Sequence, residues 1–96
     1  MLQFQNTLLD VRITDDTVAV DLADGRTISV PLAWYPRLLH GTPAERKNYR
    51  ILGSGDGIHW PELDEDVSAE NIILGQPSGE SRDSFARWLK GRTFQQ

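Results

Sequence analysis

Between Leu9 and Val30 the chain alternates with period two. Leu9, Val11 and Ile13 interleave with Asp10, Arg12 and Thr14, Val18, Val20 and Leu22 with Ala19 and Asp21, and Ile28 and Val30 follow. Alternation sends every second side chain to one side of an extended strand, so this segment predicts three half-buried strands. A two-residue turn at Asp15-Asp16 sets Ile13 opposite Val18, Val11 opposite Val20 and Leu9 opposite Leu22, which gathers all six on one face.

The second turn, Ala23-Asp24-Gly25, decides where the third strand falls. A two-residue Asp-Gly turn would oppose Asp21 to Ile28 and turn Ile28 and Val30 toward solvent, which a buried face does not tolerate. A three-residue loop with Gly25 left-handed in a bulge opposes Val20 to Ile28 and Val18 to Val30 instead. The expected product is an antiparallel meander with one oily face that needs a cover.

The residues that follow can supply it. Pro31 to Tyr35 reads as extended, and Pro36 fits the first turn of a short helix that ends at Gly41. Thr42-Pro43-Ala44-Glu45 is a capping-box pattern that opens a second short helix to about Asn48. Tyr49–Leu52 and Gly57–Trp60 flank the turn-forming Gly53-Ser54-Gly55-Asp56 and predict a second hairpin, stopped by Pro61. Ser68 caps a helix of two turns that ends at Gly75, and Pro77-Ser78-Gly79 precedes an amphipathic helix from about Glu80 to Lys90. Its stripe of Phe85, Trp88 and Leu89 must be buried against the chain's own body or against another molecule. The fold class is α+β: an N-terminal three-stranded antiparallel meander, short helices, a second hairpin and a C-terminal amphipathic helix, in a single domain over 1–96.

Composition narrows the function classes. With no cysteine, disulfides, thiolate metal sites and cysteine nucleophiles are excluded. No apolar run approaches the ~20 residues of a membrane span, and Met1-Leu2-Gln3-Phe4-Gln5 lacks the basic start and apolar core of a signal peptide, so a cytoplasmic protein is expected. The net charge of −4 disfavours a nucleic-acid partner. Charge is nevertheless polarised, with Arg82, Arg87, Lys90 and Arg92 near one end and the acids of Asp56–Asp66 elsewhere.

The candidates for chemistry cluster between Gly57 and Asp66. Asp64-Glu65-Asp66 could serve acid-base work or a hard cation, but the run precedes the Ser68 helix, where carboxylates favour unpaired amides and solvent. Its spacing fails the calcium-loop pattern. His59 is a titratable side chain near Asp64 and Asp66, yet no nucleophile is placed beside it, and in a strand it points away from Ile58 and Trp60. A structural histidine is the simpler reading. His40 before Gly41 suits a helix C-terminus. Trp34, Tyr35, Trp60 and Trp88 combine area with polar handles, which suits both cores and interfaces; Trp60 reads as core, and Trp34 or Tyr35 as interface.

The block Ile58-His59-Trp60-Pro61-Glu62-Leu63-Asp64-Glu65-Asp66-Val67-Ser68, with Asp24-Gly25-Arg26 and Pro31-Leu32-Ala33-Trp34-Tyr35-Pro36-Arg37-Leu38, resembles the bacterial family known as domain of unknown function 2442. The resemblance spans about Leu9 to Gly75 and leaves Pro77–Gln96 as a C-terminal helical extension. The family motif usually carries Ile where this chain has Val67, a conservative change. The resemblance implies a small α+β fold with an N-terminal meander. It also implies gene neighbourhoods like those of toxin and antitoxin pairs, and it brings no activity, cofactor or catalytic residue.

The absence of a catalytic set, the aromatics and the acidic balance, together with what the resemblance implies, lead to the expectation of a non-enzymatic interaction protein with no cofactor or metal, one half of a two-gene pair. Its partner would be a protein encoded by the adjacent gene, or a second copy of the chain. The candidate interaction residues are Trp34, Tyr35, His59, Trp60, Asp64, Asp66 and Trp88. Two alternatives stand beside this: a small enzyme using His59 with Asp64 or Asp66, and nucleic-acid binding through the C-terminal basic helix.

Overall fold

The alternating segment forms strands β1 (Leu8–Ile13), β2 (Thr17–Leu22) and β3 (Thr27–Pro31), paired antiparallel in that order. A computed structural model describes residues 7–94, the last two by their backbone alone. The first turn holds Ile13 opposite Val18 and Val11 opposite Val20. At the second, Val20 faces Ile28 and Val18 faces Val30, with Gly25 at φ +95°, so the bulged loop is the one that forms.

One register differs from the simple alternation, which predicts Leu9 opposite Leu22. The register shifts between Leu8 and Asp10, and Leu8 faces Leu22 instead. Leu8 is 3% exposed and Leu9 65%. Pattern alone cannot choose between adjacent leucines; a contact to the second half of the chain does. The Leu8 N–H donates to the Gly55 carbonyl at 2.9 Å, and a Cβ on Gly55 would lie 2.7 Å from the Leu8 nitrogen. The glycine lets the two backbones meet, and the bulge turns Leu8 inward.

After β3 a 3₁₀ turn (Leu32–Trp34) leads into α1 (Pro36–Leu39) and α2 (Pro43–Lys47). The capping box is complete: Glu45 N–H donates to Thr42 Oγ1, and Thr42 N–H to Glu45 Oε1. Strands β4 (Arg50–Leu52) and β5 (Gly57–Trp60) make the second hairpin. A sixth strand, β6 (Glu65–Ser68), pairs antiparallel with β5 where the sequence suggested only a run of solvated acids. Ser68 ends β6 and caps α3 (Ala69–Leu74), accepting from the Asn71 N–H at 3.0 Å. The last helix, α4 (Arg82–Phe94), starts two residues later than predicted and runs longer.

The inner faces of both sheets meet in one core. Val11, Val18, Val20 and Leu22 come from the first sheet and Ile58, Trp60 and Val67 from the second, closed by Leu32, Tyr35, Leu38 and Ile72. Each such aliphatic side chain is worth roughly 1.5–3 kcal/mol when withdrawn from water. The Trp60 indole is satisfied where it is buried: its Nε1 donates to the Arg46 carbonyl at 2.9 Å. The buried Arg46 guanidinium donates to the Leu38 and Gly41 carbonyls and to Asp15, tying the first β-turn to the helices.

Two candidate interaction residues are corrected by this packing. Tyr35 at 2% and Trp60 at 0% exposure belong to the core and present no exposed aromatic surface; Trp60 is core as its ring predicted, and Tyr35 meets solvent-filled space only at the wall of a cleft. Trp34 is half-buried against the core. Trp88 docks within the chain: it packs against the core, stacks on Phe85 with centroids 5.7 Å apart, and has the guanidinium groups of Arg37 and Arg92 over its ring at 5.3 and 4.8 Å.

Candidate functional site

Strand β6 alternates, and alternation puts its two halves to different uses. Val67 and Glu65 share the side that faces the core, while Asp66 and Ser68 face outward. Glu65, level with Trp60, is thus a carboxylate aimed inward. Its Oε1 accepts the Asp66 N–H at 3.1 Å, but Oε2 is buried with no partner. Burial pushes the Glu65 carboxyl above its ordinary range, against the lowering effect of the Asp66 N–H and the Arg37 charge.

Glu65 forms part of the wall of a cleft of about 370 Å³, bounded by β6, the Tyr35–Arg37 segment, the start of α3 and the connector from Gln76 to Glu80. The Tyr35 phenol belongs to the same wall, and its hydroxyl is likewise buried without a partner. Burial, and then the Glu65 charge, raises the Tyr35 hydroxyl above the usual phenol range, so the two groups sense each other. Among the described residues these two atoms are the buried side-chain oxygens or nitrogens left unpaired, and both belong to this cleft.

Across the cleft Arg37 is fully engaged. Its Nε and Nη2 donate to the Glu80 carboxylate, and its Nη1 donates to the Asp64 carbonyl at 2.9 Å. Ser84 Oγ donates to Glu80 Oε2 at 2.8 Å. Hydrogen bonds from Arg37 hold the Glu80 carboxyl below its ordinary range. The cleft therefore sets the carboxylates of Asp64, Glu65 and Glu80 against a single guanidinium that is already paired, while Asp66 reaches it from the outward face of β6.

His59 lies on the other side of the second sheet. It pairs in register with Asp66, and its Nδ1 donates to Asp66 Oδ1 at 2.5 Å. The histidine side chain is 22% exposed and the aspartate 70%. Of the two predicted carboxylate partners, Asp66 is brought to His59 and Asp64 is not: Asp64 turns the chain at φ +50° and lies near Arg37. Among the described residues no hydroxyl or amine is hydrogen-bonded to His59, and no group of three or more His, Asp or Glu could hold a metal ion. His40 takes its expected place at a helix end, with Nδ1 donating to the Pro36 carbonyl at 3.0 Å.

Arg37, Glu65 and Glu80 are the site residues that the sequence hid. The one available signal was Glu65 itself, two positions before Val67 and hence on the same side of any strand. Reading Asp64-Glu65-Asp66 as a charge run concealed it.

Fold and cleft define a small α+β protein of two three-stranded antiparallel sheets that share one core, with an acidic cleft at the edge of the second. The chain belongs to the family described as protein of unknown function (DUF2442), whose model matches residues 8–78 and so ends before α4. The chain is similar to a protein of unknown function from Rhodospirillum rubrum, solved by crystallography. That structure is 28% identical with a TM-score of 0.67, over 77% of this chain and 92% of the other. An uncharacterized protein from Chromobacterium violaceum, solved by NMR, shares the fold at 24% identity with a TM-score of 0.64, over 84% of this chain and 74% of its own. No curated protein matches the chain.

Proposed function

We propose that this protein is a non-enzymatic, cytoplasmic interaction module, the antitoxin-like or regulatory half of a two-gene pair, which uses its acidic cleft to receive a basic protein partner. The supporting observation is the charge of that cleft, where the carboxylates of Asp64, Glu65 and Glu80 meet one guanidinium that is already paired. Such a field speeds encounter with a cationic surface and disfavours anionic ones. Among the described residues no helix is long and apolar enough to cross a membrane. Co-expression with the adjacent gene product, followed by size-exclusion chromatography at low and high salt, tests the reading. A co-eluting complex that loosens as salt rises is expected, and persistent failure to co-elute sinks the partner claim. The same column reports a second copy as the partner.

A second reading rests on the His59–Asp66 hydrogen bond, an arrangement that can orient an imidazole for acid-base work. Both groups lie on an open strand surface, and the hydrogen bond serves equally to pair β5 with β6, so the interaction reading is preferred. A hydrolase screen in which His59→Ala abolishes a measured turnover would reverse that order. Nucleic-acid binding by α4 is weakened as a reading because Arg92 is held by Glu45. Affinity for DNA or RNA that falls steeply with salt would restore it.

A further inference from the structure

We infer that the cleft between Tyr35 and Glu65 is a binding site for an organic cation, an ammonium or guanidinium group that donates to the unpaired Tyr35 hydroxyl and Glu65 Oε2. This deepens the interaction reading by naming what the cleft would take from a partner.

Unpaired buried polar atoms are rare because each forfeits its bonds to water. Here two such atoms belong to residues that line one cleft, and one of them is a carboxylate oxygen. Arg37 is the nearby cation that could have satisfied Glu65, but Glu80 and the Asp64 carbonyl take its donors. The protein therefore keeps an inward, buried carboxylate oxygen without a partner near a phenol that is itself 2% exposed.

Charge selects the class of ligand. Asp64, Glu65 and Glu80 repel anions, and one guanidinium does not offset them. A bare divalent ion would need several converging oxygens, and no group of three or more acidic or histidine side chains among the described residues could hold one. An ammonium or guanidinium carries several N–H donors and can satisfy a carboxylate and a phenol oxygen together. A volume of about 370 Å³ is at the small end of ligand sites and suits one lysine- or arginine-sized group. That group could come from a free amine or from a basic side chain presented by a polypeptide.

The test is an amide NMR titration of the full chain. Agmatine and cadaverine represent free cations. Acetyl-Gly-Arg-Gly-amide and acetyl-Gly-Lys-Gly-amide represent presented side chains, and acetyl-Gly-Gln-Gly-amide is the neutral control. Saturable shifts around Tyr35, Glu65, Asn71 and Ser78 are expected with the cations and absent with the control. Glu65→Gln should weaken binding about tenfold or more, and Tyr35→Phe by a few-fold, since each removes one acceptor. Tighter binding of the peptides assigns the site to a presented side chain, and tighter binding of the amines assigns it to a free ligand. No shift up to about 10 mM, equal shifts from the glutamine peptide, or unchanged affinity in both variants would overturn the proposal and leave the two atoms to bound water. If the partner still co-elutes in that case, the interaction reading survives without the cation site. Cation binding with no co-eluting partner would leave the site standing alone.

Discussion

Arg37 and Glu80 are joined by a forked ion pair that bridges α1 to the connector before α4. Arg37 Nε lies 2.9 Å and Nη2 2.5 Å from Glu80 Oε2, and both side chains are mostly buried, at 14% and 10% exposure. Glu80 lies beyond the family-matched residues 8–78, so this pair fastens the C-terminal extension to the family fold.

Removing either partner strands the other. Arg37→Ala or Glu80→Ala should each lower stability by about 2–4 kcal/mol in urea unfolding, because a largely buried charge loses its counterion. The double variant should lose less than the sum of the two, since no charge is then left uncompensated. Additive losses would show that the pair is not coupled.

Glu65 makes an opposite prediction, and its sign follows from linkage. Its folded-state carboxyl lies above the ordinary value, so between the unfolded and folded values the native state holds a proton that the unfolded state has released. Stability therefore falls as pH rises through that window and stays lower above it. Glu65→Gln keeps an acceptor for the Asp66 N–H and removes the buried charge. It should stabilise the protein at pH 7.5, with the gain vanishing as the pH falls below the ordinary carboxylate range. Thermal melts on either side of that range check this. Together with lost cation binding, the result would mark Glu65 as kept at the expense of stability.

The acid limb of stability should belong to other groups. Glu45 is pulled down to about 2, chiefly by its hydrogen bonds from Arg92 and against the effect of burial. A depressed carboxylate contributes stability that is complete above its unfolded value and is lost as pH falls toward the folded one. Glu45→Gln should therefore cost stability at pH 6 and flatten the decline between about pH 4.5 and 2. Circular dichroism along an acid titration reads both effects.

The meander was legible because its constraints were redundant: alternation, turn length and the Gly25 bulge each allow a single register for Val18, Val20, Ile28 and Val30. Leu8 and Leu9 were not separable, since the choice is made by Gly55, far along the chain, through a backbone contact to Leu8 that no local pattern encodes. Strand β6 was missed for a related reason. Of its four residues, Val67 alone is apolar, and an acidic run before a helix cap reads as solvated until β5 is seen to pair with it. The cleft was illegible as a whole, because Tyr35, Glu65 and Glu80 come from three segments that only the tertiary fold assembles. Ring chemistry suited core and interface alike: Trp60, expected in the core, is core, whereas Tyr35, expected at an interface, is buried by packing.

Trp88 tests whether α4 is an integral part of the fold. Its apolar stripe required a partner surface, and that surface is within the chain: Phe85 stacks on Trp88 and meets His40 edge-on at 5.0 Å. Arg37 and Arg92 lie 5.3 and 4.8 Å from the indole centroid, and Arg92 also pairs with Glu45 of α2. The indole is half-buried, so Trp88→Ala should cost about 2–4 kcal/mol, at or below the range for fully buried aromatics. Trp88→Phe should recover part of that through retained stacking. A chain ending at Gln76 should melt lower still, because it loses the indole, the Arg37–Glu80 pair and the Arg92–Glu45 pair together. An unchanged melting temperature in the Trp88→Ala protein, accompanied by weaker association with a partner, would instead mean that α4 docks between molecules.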